Sequence, residues 1–332
     1  MKKMMICPVS SVIYNYCMEV KKNMPKLQLS FHTTFALKKE DLIKIIAVAA
    51  SEQGLNDSLE NLMEKTGLGN KKITPMKTWT SRAGFIKGSK LSPAGEIVRK
   101  YDPQLESITT EWLMHFNLSL GRYGLKELPP EPSEWGGWTY FVYTFVPEHQ
   151  SFSLEDLVQT SATIFEEENI KKLTKNIRIL LRAYTEAKAM GGIKYIHKPE
   201  KNKYVAGEQV LPNSYMIGYL LAKIWERDLK EETSVLLDDI LHKKMGLAAV
   251  LGISSEALQE QLDKLESLSL IEQRRTVEPY QIIPRWDDSL SLLEKAYENT
   301  QFTPSVPVES NSEEEMEIEE TEETAETADE SE

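Results

Sequence analysis

The sequence predicts a mainly α protein with small β-wings: an N-terminal winged helix-turn-helix, a helical middle, a second C-terminal winged helix and a disordered acidic tail. Three observations carry this. Apolar residues recur at helical spacing through most of the chain. Twice, a group of such segments ends in two short apolar strokes broken by Gly or Pro. From Glu309 onward there are thirteen carboxylates and no Lys or Arg. The tail accounts for the whole formal net charge of −13 and leaves residues 1–308 neutral, so the acidity says nothing against a basic face on the body.

The expected segments are an N-terminal arm over 1–28, a winged helix-turn-helix over 29–103, a helical middle domain over 104–228, a second winged helix over 229–300 and the disordered tail over 301–332. The arm opens like a signal peptide, but Pro8, Ser10, Ser11 and Asn15 interrupt its apolar run, and Met24-Pro25-Lys26 reads as an alternative start. Cys7 and Cys17 are the two cysteines, which leaves no disulfide framework or cysteine metal site for the core and fits a reducing cytoplasm. No uncharged apolar run reaches the roughly 18 residues a membrane span needs.

In chain order, Leu29–Leu37 reads as an extended entry and 38–53 as a helix with Leu42, Ile45, Ile46 and Ala49 on one face. Asp57 and Glu60 have capping-box spacing before a helix over 58–66, with Gly67 as its left-handed terminator. The next helix ends at Gly84 and begins either at Thr74-Pro75 or at Asn70. Ile73, Met76, Thr80 and Ala83 form its inner side, with Trp79 at the margin as a core anchor. Lys71, Pro75, Thr78 and Arg82 form the outer side, flanked by Thr74 and Ser81. Phe85–Ser92 folds back through Gly88-Ser89 as a wing, and Pro93 opens another helix.

Leu105–Leu120 is expected as a helix, Trp135–Phe145 as an aromatic core segment, 154–167 and 170–188 as amphipathic helices, and Ile193–His197 with Tyr204–Ala206 as a hairpin. Helices over 215–228, 235–243 and 247–251 follow. Ser254 caps a further helix to about Leu268, with Leu258, Gln261, Leu262, Leu265 and Leu268 inward. Ile271–Arg275 and Tyr280–Ile283 form the second wing, and 288–297 closes the fold.

The two wings differ in charge. Lys65–Gly95 holds seven basic residues and no acidic one. The outer face of the second recognition helix is Glu256, Glu260, Asp263 and Ser267, which would meet a phosphate backbone with like charge. Double-stranded DNA is therefore expected to bind the first module through Lys71, Lys72, Lys77, Thr78, Ser81, Arg82, Lys87 and Lys90, with Arg274 and Arg275 on the second wing as weaker candidates. The second module is assigned mainly to packing or protein partners. The five histidines are scattered, no phosphate loop, nucleophile elbow or zinc-protease motif occurs, and no catalytic residue, metal or cofactor is expected.

His32-Thr33-Thr34-Phe35, Leu68-Gly69, Lys71, Trp79, Gly84-Phe85-Ile86 and Leu91-Ser92-Pro93-Ala94-Gly95 resemble a bacterial family designated domain of unknown function number four thousand and seven. The family usually has an acidic residue where this chain has Thr33, and lacks Pro75. Members occur beside phosphoadenosine-phosphosulfate-reductase-like proteins in phosphorothioation and phage-defence gene clusters. The resemblance implies a cytoplasmic accessory to DNA sulfur modification or restriction, with sibling defence proteins as partners. The alternatives are a protein–protein adaptor whose acidic tail mimics DNA, and a nuclease.

Overall fold

A computed structural model describes residues 24–230 and 232–300. Residues 1–23 of the arm, with both cysteines, and the acidic tail lie outside the described residues.

The first module is three helices and a hairpin, α1 (Lys39–Ala49), α2 (Leu59–Thr66), α3 (Asn70–Arg82), β1 (Ile86–Lys87) and β2 (Lys90–Leu91). Its predicted inner residues Leu42, Ile45, Ile46 and Ala49 are all buried. The entry is a short 3-10 turn at Ser30–His32 rather than a strand. α1 stops four residues earlier than expected because the following turn is tied to the hairpin. The Leu55 N–H donates to Ser89 O at 2.8 Å, and Gly54, at φ +62°, passes so close to Ser89 O that a Cβ there would lie 2.3 Å from it. Ser58, not Asp57, caps α2, its Oγ accepting the Asn61 N–H at 3.2 Å. Asp57 lies one residue too early and pairs instead with Lys65 at 2.6 Å. Gly67 ends α2 in the left-handed conformation, as expected.

The Leu91–Gly95 motif closes the hairpin onto the module. Leu91 pairs with Ile86. Ser92 caps α4 (Pro93–Tyr101) by accepting from the Gly95 N–H, and its own hydroxyl donates to Gly84 O at 2.5 Å. Pro93 occupies the first helical position, where its missing N–H costs nothing. Gly95 lets α4 approach the hairpin base: a Cβ there would lie 2.0 Å from Phe85 O.

Asp102 accepts the Glu106 and Ser107 N–H groups, so the next helix, α5 (Ile108–Ser119), begins three residues later than the apolar pattern suggested. The aromatic run forms one helix over residues 137–148, α6, with a π-turn at Phe141–Phe145. Trp138, Tyr140, Phe141, Tyr143 and Phe145 are buried, as the core reading requires. α7 (Leu154–Ile164) and α8 (Ile170–Thr185) precede the hairpin β4 (Ile196–Glu200) and β5 (Lys203–Ala206). A short strand the sequence did not signal, β3 (Ser151–Phe152), pairs with β5.

α9 (Ser214–Asp228), capped by Asn213, leads to a second group of elements. Val235–Leu236, expected as the start of a helix, is instead strand β6, paired with β8 (Gln281–Pro284), which also pairs with β7 (Ile271–Arg274). Between them lie α10 (Leu237–His242), α11 (Leu247–Leu251) and α12 (Ser255–Ser267). Leu258, Gln261, Leu262 and Leu265 are buried as predicted, but Leu268 falls beyond the last turn and is 40% exposed. α13 (Ser289–Glu298) returns to the first module, where Tyr297 stacks on Tyr101 at 5.9 Å and shares a 2.8 Å hydrogen bond with Thr110. The architecture is mainly helical with small antiparallel sheets, built on one continuous apolar core.

Gly95→Ala is expected to cost about 3 kcal/mol in urea unfolding, because backbone cannot yield as a side chain would. Gly69→Ala, where nothing lies within 4 Å and only the N-cap preference of α3 is lost, is expected to cost under about 1 kcal/mol.

Candidate nucleic-acid interface

α3 begins at Asn70, whose Oδ1 accepts the Lys71 N–H at 2.6 Å, and it tolerates Pro75 inside. Trp79 is wholly buried and donates Nε1–H to Phe35 O at 3.0 Å. One turn earlier on the same side, Pro75 is buried too, which corrects its assignment to the outer face. The indole is the largest side chain on α3 and sets the helix rotation. The open side therefore centres on Thr74, Lys77 and Ser81, with Lys71 and Thr78 at its edges.

The basic residues of this stretch divide into two groups. Lys71 and Lys87 are exposed, Lys77 is half-exposed, and among the described residues none of the three has an ion-pair partner. Ser81 is exposed beside Lys77, and Thr78 turns its hydroxyl to Thr74 O at 3.0 Å. The remaining cations are engaged. Lys72 pairs with the buried Asp41 at 2.7 Å and Lys65 with Asp57. Lys90 donates to Ser51 O at 2.9 Å and to Glu52 O, bracing the hairpin on the turn after α1. Lys90 keeps an uncompensated charge, since its acceptors are carbonyls.

Arg82 also turns away from the open face. Its guanidinium lies 3.8 Å over the Phe31 ring and donates to Gln28 O at 3.4 Å. Burial, with Arg122 nearby, lowers its pKa to about 10, so it remains cationic. His32 sits behind this pair, 1% exposed and stacked on Trp79 at 5.8 Å. Its Nδ1–H donates to Thr33 O at 3.2 Å, and Nε2 has no hydrogen-bond partner among the described residues. Burial is the main cause holding its pKa down to about 4. This cluster was not visible in the sequence, because Gln28, Phe31 and Arg82 meet only through the fold.

The second module offers less. Glu256, Glu260, Asp263 and Ser267 are exposed as predicted. Arg274 pairs with Glu272 at 3.0 Å, while Arg275 pairs with Asp263 and lies 3.8 Å from Glu266, so both arginines face carboxylates of their own module.

Fold and surface together define a mainly helical protein with a cationic helix-and-hairpin face. The chain belongs to the family described as "Protein of unknown function (DUF4007)", matched over residues 29–297. It is similar in fold to two solved structures. "Magnesium ion-bound SspB crystal structure" matches at 16% identity and a TM-score of 0.63, covering 84% of this chain and 90% of that one. "SspB crystal structure" matches at 17% identity and 0.62 over the same shares. No curated relative matches. Among the described residues no group of three or more His, Cys, Asp or Glu side chains is placed to hold a metal ion. No helix among them is long and apolar enough to cross a membrane.

Two outcomes are expected from this geometry. Lys72→Ala leaves the buried Asp41 with only the longer 3.9 Å contact to Lys44 and is expected to cost about 2 kcal/mol in urea unfolding, whereas Lys71→Ala changes stability little. His32 stays neutral in the fold near pH 5, while in the unfolded chain it titrates near 6.5. The unfolded state therefore binds protons that the native state refuses. This contribution to stability is intact above about pH 6.5 and falls as pH drops toward 4, by about 2 kcal/mol at pH 5. His115, also held near 4 by burial, adds a similar dependence. Urea titrations at pH 7 and pH 5 should show the combined loss, and His32→Gln should remove roughly half of it.

Proposed function

We propose that the chain is a DNA-binding accessory or regulatory protein of a bacterial DNA-modification or phage-defence system of the phosphorothioation type, working in the cytoplasm. On this reading residues 29–103 form a winged helix-turn-helix and 229–300 a second winged module, with 104–228 between them. One observation carries the reading: Lys71, Lys77 and Lys87 stand unneutralised on the open side of α3 and its hairpin. Such a surface suits duplex phosphates, with Ser81 and Thr78 near enough to the helix crest to reach polar edges. Family membership and the likeness to SspB are consistent with this setting and support no more than the fold.

A second role is compatible with the first. The exposed carboxylates of α12 favour a protein partner with a basic surface, which would make the C-terminal module an adaptor. The nuclease reading is favoured by the magnesium named in one neighbour, but no donor cluster among the described residues accompanies it.

In fluorescence anisotropy with a labelled 30-bp duplex, the full chain is expected to bind with a log–log salt slope of at least −3, about −0.9 for each phosphate neutralised. Lys71→Glu with Lys77→Glu and Lys87→Glu should abolish binding at 100 mM salt, while Arg274→Glu leaves it unchanged. Wild-type affinity in the triple variant removes the assignment.

A further inference from the structure

The middle of the chain repeats the plan of its C-terminal part. Over residues 137–206 the helix α6 leads to the two-residue strand β3, then to α7, α8 and the hairpin β4–β5. Over residues 214–284 the helix α9 leads to the two-residue strand β6, then to α10, α11, α12 and the hairpin β7–β8. Both sheets are antiparallel and have one order, with the third strand between the first and the second: β3-β5-β4 and β6-β8-β7. α8 packs on β4 as α12 packs on β7.

The two long helices are built alike. Asn169 caps α8 and Ser254 caps α12. Four, seven, eight and eleven residues after its cap, α8 buries Leu173, Asn176, Ile177 and Leu180, and α12 at the same steps buries Leu258, Gln261, Leu262 and Leu265. Both helices place an amide side chain at the seventh step. Helices with the same inner stripe turn the same steps outward, and there the charge reverses. Two and nine residues after the cap stand Lys171 and Arg178 on α8 but Glu256 and Asp263 on α12, all four exposed. At the sixth step Lys175 faces out where α12 has Glu260, but Lys175 has an interaction of its own and does not count toward the available charge. α3 keeps the frame from its cap Gly69, with Ile73, Met76 and Thr80 buried four, seven and eleven residues on and Lys71 exposed at the second.

The hairpins carry the difference further. Lys198, Lys201 and Lys203 are exposed on β4–β5, with Glu200 as the carboxylate among them. Among the described residues these lysines have no ion-pair partner, nor have Lys171 and Arg178. In the C-terminal part both Arg274 and Arg275 are taken up by carboxylates.

We infer that residues 137–206 form a further winged-helix module, with α8 as its recognition helix and β4–β5 as its wing, and that Lys171, Arg178 and the hairpin lysines bind the phosphate backbone of duplex DNA. This module shares its ligand with the α3 face and none of its residues, so either reading can fail alone. A repeated frame fixes which side chains point away from the inner stripe and carries no function by itself; the sign of the charge decides the partner. At the same steps α12 would meet phosphate with like charge, while α8 offers a cation at each. Because β4 packs on α8, the helix and hairpin cations are held as one unit.

The test uses the full chain and anisotropy with a labelled 30-bp duplex over a salt series. Lys171→Glu with Arg178→Glu is expected to make the log–log slope shallower by about two units, and Lys198→Glu with Lys201→Glu by a similar amount, about 0.9 for each phosphate released. Each pair should weaken binding at 100 mM salt by roughly tenfold or more. Lys171→Gln with Arg178→Gln, which adds no repulsion, should reduce the slope to the same extent with a smaller loss of affinity and an unchanged melting temperature. Wild-type slopes in the α8 and hairpin variants overturn the inference, and loss of binding by the α3 triple variant in the same series leaves the α3 reading standing. Wild-type binding by the α3 triple variant, with loss in the α8 and hairpin variants, overturns the α3 reading and supports this one. A dimer in sedimentation that Lys171→Glu with Arg178→Glu dissolves, with the DNA slope unchanged, overturns the inference and assigns the α8 face to the α12 carboxylates of a second copy. No binding by the wild-type chain overturns both readings.

Discussion

The arrangement of this molecule depends on a buried ladder of aromatic rings and hydrogen bonds that runs from the first module to the last. Trp79 packs edge-on against Trp138, which donates to the Tyr184 hydroxyl. Tyr184 donates in turn to His115 Nδ1 at 2.8 Å, and His115 Nε2–H donates to Val250 O at 2.9 Å. The direction of every bond follows from its ends: an indole can only donate and a carbonyl can only accept, so the tyrosine and the histidine tautomer between them have one arrangement each. Burial holds His115 neutral and keeps that tautomer in place. Five stretches far apart in sequence are thereby fixed with respect to one another, α3 and α8 among them.

The same economy governs the first module's edge. The hairpin has two residue pairs and could not hold itself. It is held by Ser89 O on the turn after α1, by Lys90 on the carbonyls of Ser51 and Glu52, and by α4 closing against Phe85 where Gly95 leaves room. A lysine counted as a DNA contact on charge alone thus has a mechanical role, and the glycine of the family motif is explained by backbone clearance rather than by a turn.

What the sequence showed clearly was anything set by nearest neighbours. Ser254 caps α12, as expected, because a side-chain oxygen two or three residues ahead of the free N–H groups is a local matter. Gly67 and the Gly88-Ser89 turn follow for the same reason, as does the buried stripe of α1. Strands β3 and β6 were invisible: two residues have no period, and each exists only because a distant strand offers it a partner. The rotation of α3 differs from the one its apolar spacing predicts by less than one residue. Trp79, at the margin of the predicted stripe, defines the centre of the buried one once Phe35 O is in reach of its indole.

The candidate site was legible as charge but not as available charge. A count of basic residues over Lys65–Gly95 treats all seven alike, yet the acids that neutralise two of them, Asp41 and Asp57, lie outside the stretch. Arg82 is diverted by Phe31, which also lies outside it. A phosphate backbone responds to the cations left over after the fold has used what it needs, so the electrostatic footprint of such a protein is a property of its tertiary pairing. On that measure α3 loses Lys72 to Asp41 and keeps Lys71 and Lys77 on its open side.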